Sequence, residues 1–270
     1  MQRLLVTLCI TAMVALLAGG PARARDAASF TGKLGGKHAV QLMVWFDSAA
    51  PPPQPGGIYA YGVYWYESRK LPIALSGVLF PRDGGEWLDL RDEGRDGARQ
   101  EVFTGYLKPD GYAGEWSAGP VFGTHGNAPT RRMKFAMQAA AAGMGELSTQ
   151  LSCGAASSGT IRLEAAQLTM RQGEVALYSQ NATARTGGGL QRCELRMEAP
   201  RQGIAERLLV LEPKAAPAGA CSVVLQRSGD YVLARPLAPD GCGCGSNFGP
   251  LQVLMDTRRG TCHIHYPDGN

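Results

Sequence analysis

Five residues near the C-terminus, Cys242, Cys244, Cys262, His263 and His265, combine the side chains best able to hold a soft or borderline metal. Thiolate and imidazole are the ligands of zinc and copper. Strand geometry divides the set. If 262–266 is extended, Cys262 points with Ile264 and Tyr266, while His263 and His265 point the other way. The cysteine then belongs to a core and the histidines to a surface, where those two alone form a weak chelating pair.

Disulfide formation is the competing chemistry for the thiols. Of seven cysteines, Cys9 lies in an N-terminal apolar run, leaving Cys153, Cys193, Cys221, Cys242, Cys244 and Cys262. An even number in an exported chain reads as three disulfides, with 15 possible pairings. Cys242 and Cys244 are too close to pair with each other without strain. Each is therefore expected to bridge to a different one of the remaining four.

Other candidate chemistry is sparser. There is no Gly-x-Ser-x-Gly elbow. His125 stands in a glycine-flanked loop, which reads as an exposed loop histidine. The carboxylates Asp83, Glu86, Asp89, Asp92, Glu93 and Asp96 lack the spacing of a calcium loop and read as a solvated hairpin. The glycine runs at 187–189 and 241–245 are not followed by a helical period, so they read as loops rather than phosphate cradles. The densest aromatic set is Tyr59, Tyr61, Tyr64, Trp65 and Tyr66. On a strand these alternate between a buried face and an outer one, and outward members could stack on sugar rings.

Export follows from residues 1–24. Arg3, an apolar run from Leu4 to Ala18 and the Ala22-Arg23-Ala24 pattern read as a secretory signal peptide cleaved after Ala24. Removing it leaves 246 residues, with 25 basic against 23 acidic side chains. A charge so near zero, with arginines scattered among acids, gives no nucleic-acid face. No later stretch reaches the roughly 20 apolar residues of a membrane-spanning helix. A soluble periplasmic or secreted protein is the expectation, with no cofactor.

The elements that must position these residues are strands. The chain carries 36 glycines and 17 prolines, which punctuate it too often for long helices. All four tryptophans and six of seven phenylalanines lie before residue 140, and every mature cysteine lies after 150. The fold class expected is all-β: two small antiparallel barrel or sandwich domains after a signal peptide, at 30–138 and 151–267, with 139–150 as linker. The linker's four alanines could also form one helical turn. Strands are expected at 40–46, 58–66, 71–80, 86–91, 101–107, 112–117 and 132–138, with Asp-Gly turns at 83–84, 96–97 and 110–111.

In this half, Phe30-x-Gly32-x-Leu34, Gly57-x-Tyr59-x-Tyr61, Ile73-x-Leu75-x-Gly77, Leu88-x-Leu90-x-Asp92, Thr104-Gly105 and Gly114-x-Trp116 follow one another in order. Residues 28–138 thereby resemble small exported bacterial β-barrel modules of poorly defined function, although Asp92 stands where that pattern has Glu. The resemblance implies a barrel and supplies no catalytic residue.

The second half reads as strands at 160–164, 175–179, 190–197, 207–211, 221–227, 231–235, 251–255 and 262–266. Here Ser228-Gly229-Asp230-Tyr231 and the late Cys244-Gly245 loosely resemble the periplasmic lysozyme inhibitors, small disulfide-bonded β-barrels. That likeness implies a partner-contacting loop at Ser228, Gly229 and Tyr231. The loop is one residue short of the family pattern and lacks its basic residue, and a plain hairpin turn explains the same letters. The function expected is a non-catalytic binding protein of the bacterial cell envelope, lysozyme-inhibitor-like or otherwise protein- or glycan-binding. The alternatives are zinc or copper binding near the C-terminus and a hydrolase with an unrecognised site.

Overall fold

The computed structural model describes residues 27–47, 55–69, 71–92, 100–119, 131–140, 144–154, 156–158, 160–205, 208–215, 217, 220–237, 242–244, 248 and 251–265. The signal-peptide reading, the Asp-Gly turn at 96–97, His125 and most of the proline run at 51–55 lie outside these residues. The described part is all-β.

Eight strands form a closed antiparallel barrel: β1 (Ala27–Leu34), β2 (His38–Asp47), β3 (Ile58–Tyr66), β4 (Ile73–Arg82), β5 (Gly85–Asp92), β6 (Gln100–Lys108), β7 (Gly111–Gly119) and β8 (Arg131–Ala139). Each strand pairs with the next, and β1 closes the ring on β8 with Phe30 opposite Ala139 and Leu34 opposite Phe135. Closure removes the free edges that a meander would leave. The β4–β5 turn places Asp83 at φ 49° and Gly84 at φ 76°, the pair of positive angles a two-residue hairpin needs. Inside, alternate residues such as Leu42, Leu75, Leu88, Phe103 and Phe135 fill the lumen. Gly105 faces Gly114 across β6 and β7, and a Cβ on either would lie about 2 Å from a backbone oxygen of the neighbouring strand. The close approach of these two strands therefore requires glycine at both positions.

The rest of the chain forms two further antiparallel sheets. The second sheet contains β9 (Thr149–Cys153), β10 (Ala156–Ser158), β11 (Ile161–Arg171), β12 (Glu174–Thr186) and β13 (Gly189–Glu198); β9 and β10 both pair with β11. The third runs in chain order through β14 (Arg201–Ala205), β15 (Leu208–Glu212), β16 (Val223–Ser228), β17 (Tyr231–Pro236), β18 (Gln252–Asp256) and β19 (Thr261–His265). Leu163, Leu168 and Tyr178 from the second sheet share one core with Leu211, Val223 and Val253 from the third. Cys153–Cys262 ties β9 to β19 across that core, while Cys193–Cys244 and Cys221–Cys242 fasten the segment between β17 and β18. Cys242 and Cys244 thus take different partners, as their spacing requires.

The segment read as a linker differs from that expectation at both ends. Ala139 completes β8, and the Ala140 backbone N–H donates to the Ser29 carbonyl, so the barrel runs one residue further and these two alanines are not helical. Met144 is buried in the two-sheet core, and Thr149 already belongs to β9.

The third sheet is the middle layer of the molecule. Its inner residues pack on the second sheet, and its outer residues Tyr231, Leu233 and Leu254 pack on Met43, Trp45, Val63 and Trp65 of the barrel wall. Both faces being covered explains why Tyr231-Val232-Leu233-Ala234 is buried at every position. Polar contacts cross the same seam. The Gln226 amide donates to the Ala28 carbonyl and the Ser29 hydroxyl, each at 2.9 Å, and the Ser228 hydroxyl donates to Gln41 Oε1 at 2.9 Å.

Candidate functional site

The aromatic run of β3 is split by strand alternation into two environments. Tyr59, Tyr61, Val63 and Trp65 point outward, and Tyr64 and Tyr66 point into the barrel. Trp65 is only 1% exposed and lies against Tyr231 of β17. Tyr61 is half-buried, stacked on Trp45 with ring centroids 6.5 Å apart, and Tyr59 is half-buried beside it. The outward tryptophan that sequence marks for ligand stacking is thus used within the chain.

The turn read as a partner-contacting loop is engaged in the same way. Ser228, Gly229, Asp230 and Tyr231 make the β16–β17 hairpin, with Gly229 at φ 56°. Ser228 donates to Gln41, whose own amide donates to Glu67, and a Cβ on Gly229 would come within 3.0 Å of the Gln41 carbonyl oxygen. Arg227 braces the turn through the Gly229 and Met144 carbonyls. The hairpin therefore grips the barrel.

Tyr64 and Tyr66 converge with Trp116 of β7 on a carboxylate that the sequence reading did not single out, Glu101 of β6. Positions 101, 103, 105 and 107 of β6 share the inward face, so Glu101 continues the row of Phe103 and Leu107 toward one end of the barrel. Its Oε2 accepts from the Tyr64 hydroxyl, from the Tyr66 hydroxyl at 3.3 Å and from Trp116 Nε1 at 3.1 Å. Its backbone N–H donates to Asp92 Oδ1 at 2.8 Å, and the Gln100 amide donates to the Asp92 carbonyl, so the strand ends of β5 and β6 are fixed to each other. Oε2 is saturated, whereas among the described residues Oε1 accepts no hydrogen bond. Glu101 itself is half-buried. Burial of Tyr64, reinforced by the negative charge of Glu101, pushes its hydroxyl far above the ordinary phenol range and keeps it a donor. A glutamate placed in the apolar phase of a strand, two residues before Phe103, is the sequence signal for this site.

The disulfides take up the C-terminal thiols, as the even cysteine count implies. Cys242, Cys244 and Cys262 are each half of a disulfide, so no thiolate cluster remains to hold a metal. His263 is half-buried on β19, and the His265 side chain lies outside the described residues. In the β4–β5 hairpin Asp89 is paired with Arg91 at 2.9 Å and Asp83 with Arg82 at 3.5 Å. Among the described residues no group of three or more His, Cys, Asp or Glu side chains is placed to bind a metal ion.

Compared with known proteins, the chain matches no family model, no curated protein and no solved structure. Three disulfides mark an oxidising, extracytoplasmic compartment, and among the described residues no helix is long and apolar enough to cross a membrane.

Proposed function

We propose that this chain is an exported, non-catalytic binding protein of the bacterial cell envelope, and that the end of the barrel carrying Glu101 is its recognition end. One observation carries the reading: Glu101 presents a carboxylate held by three neutral donors on Oε2 while, among the described residues, Oε1 takes none. Two phenols and an indole orient a carboxylate; they do not activate a nucleophile. The strand scaffold supplies the rigidity that a preorganised contact needs. A protein ligand fits this better than a small molecule enclosed in the barrel, because the lumen is filled by packed side chains.

The other end of the sequence reading, a lysozyme-type partner met by the Ser228-to-Tyr231 turn, loses its main support because that turn is occupied by Gln41 and Trp65. The test is retention of a stoichiometric partner from envelope extract by the purified mature protein, with lysozymes included as separate baits. Turnover of an envelope substrate that a single carboxylate or histidine substitution abolishes would overturn the non-catalytic reading.

A further inference from the structure

Resting on the reading of the barrel end as a binding end, we infer that Glu101 Oε1 receives the ε-ammonium of a lysine side chain on a partner protein. The first support is charge. Among the described residues Glu101 forms no ion pair, and its three side-chain contacts, Tyr64, Tyr66 and Trp116, are neutral. A half-buried carboxylate that no described cation neutralises gains from one, since part of its desolvation has already been met in folding.

The second support is stereochemistry, and it separates lysine from arginine. A guanidinium binds carboxylate best as a fork, with one N–H on each oxygen. Oε2 already takes donors from Tyr64, Tyr66 and Trp116 and has no lone pair left for a fourth. What remains is one oxygen, which suits a compact point charge with several rotatable donors. The third support is reach. Glu101 begins the inward row of β6 at the barrel end, and it is half-buried rather than raised on the surface. A four-carbon stem can carry an ammonium between strand ends.

The experiment titrates the full mature chain, labelled with 15N, with Nα-acetyl-lysine methylamide while following the Trp116 indole resonance. The probe's ε-acetylated form and the arginine analogue serve as comparisons. Saturable movement of the Trp116 resonance with the lysine probe, at least about tenfold weaker for the other two, supports the assignment. Glu101→Gln should abolish the movement, and Tyr106→Phe, at the opposite end of the barrel where Tyr106 donates to Asp83, should keep it. Equal response to the ε-acetylated probe would overturn the inference even if Glu101→Gln failed to fold, because that comparison uses the unmodified protein. An envelope partner retained equally by the parent chain and by folded Glu101→Gln would overturn the lysine contact and leave the binding-protein reading standing. Absence of any retained partner would count against that reading itself, while the probe titration still decides whether Glu101 takes an ammonium.

Discussion

Trp65 and Tyr231 pack against each other at a tilt across the seam between barrel and third sheet, with ring centroids 4.3 Å apart and planes inclined at 49°. Sequence marks both residues for external contacts, and the structure spends them on each other. The seam around them contains Met43, Trp45, Val63, Leu233 and Leu254, all buried. A wall of this kind left uncovered would be an adhesive patch.

Truncating the larger partner should therefore be expensive. Trp65→Ala is expected to destabilise the chain by about 3–5 kcal/mol in denaturant unfolding, since a buried indole is lost and the third sheet cannot fully collapse into the gap. A double-mutant cycle with Tyr231→Ala should return a coupling of about 0.5–1.5 kcal/mol, the value of a packed aromatic pair. Additivity of the two substitutions would mean the rings do not stack in solution.

The barrel expressed alone, residues 25–140, should fold without disulfides and melt independently of reductant, because it contains no cysteine. It should also self-associate through the exposed Met43, Trp45, Val63 and Trp65. Changing Trp65 to Lys in that fragment should restore a monomer in sedimentation analysis. A fragment that is monomeric without the change would show that the wall does not require cover.

The three disulfides should not contribute equally. Cys153–Cys262 closes 109 residues and Cys221–Cys242 closes 21. In the chain-entropy account, replacing the first pair by alanines should cost about 1.4 kcal/mol more than replacing the second. Non-reducing peptide mapping should recover Cys153 with Cys262, Cys193 with Cys244 and Cys221 with Cys242.

Buried phenols set the alkaline limit of stability. Burial raises the hydroxyls of Tyr64, Tyr112 and Tyr178 above the ordinary value, and burial with Asp256 nearby pushes Tyr231 up to about 12. A raised folded value favours the protonated form, so this stabilisation is fully present below the unfolded value of about 10 and is lost as pH rises above it. Unfolding should therefore become progressively easier above about pH 10, and spectrophotometric titration should show these four phenols ionising late or only with unfolding. Normal titration of all described tyrosines with the fold intact would contradict the burial pattern.

What could be read from the sequence follows from how periodicity works. β3 is legible to the residue, because Tyr59, Tyr61, Val63 and Trp65 alternate with Ala60, Tyr64 and Tyr66 and the proline run ends just before the strand begins. β1 is not, since Gly32 interrupts the inward row between Phe30 and Leu34, and its strand is fixed by pairing with β2 along its length and with β8 at closure. β9, β10 and β14 are three to five residues long, too short for a period to declare itself. Cys193, Leu195 and Met197 face inward as alternation requires. In the third sheet the consecutive apolar residues Val223-Val224-Leu225 carried the fact of two covered faces, but nothing in one strand names what covers them. Glu101 was within reach as an acid in an apolar row; its partners Tyr64 and Trp116, 37 and 15 residues away in the chain, were not.

Recognition at the Glu101 end of the barrel is tested most directly by position-specific photocrosslinking in the exported protein. A photoreactive residue at Arg131, exposed at the start of β8 on that end, is compared with one at Asp110, exposed in the β6–β7 turn at the opposite end. The account predicts a discrete envelope adduct from position 131 and none from position 110. Adducts formed only from position 110, or equally from both, would contradict it.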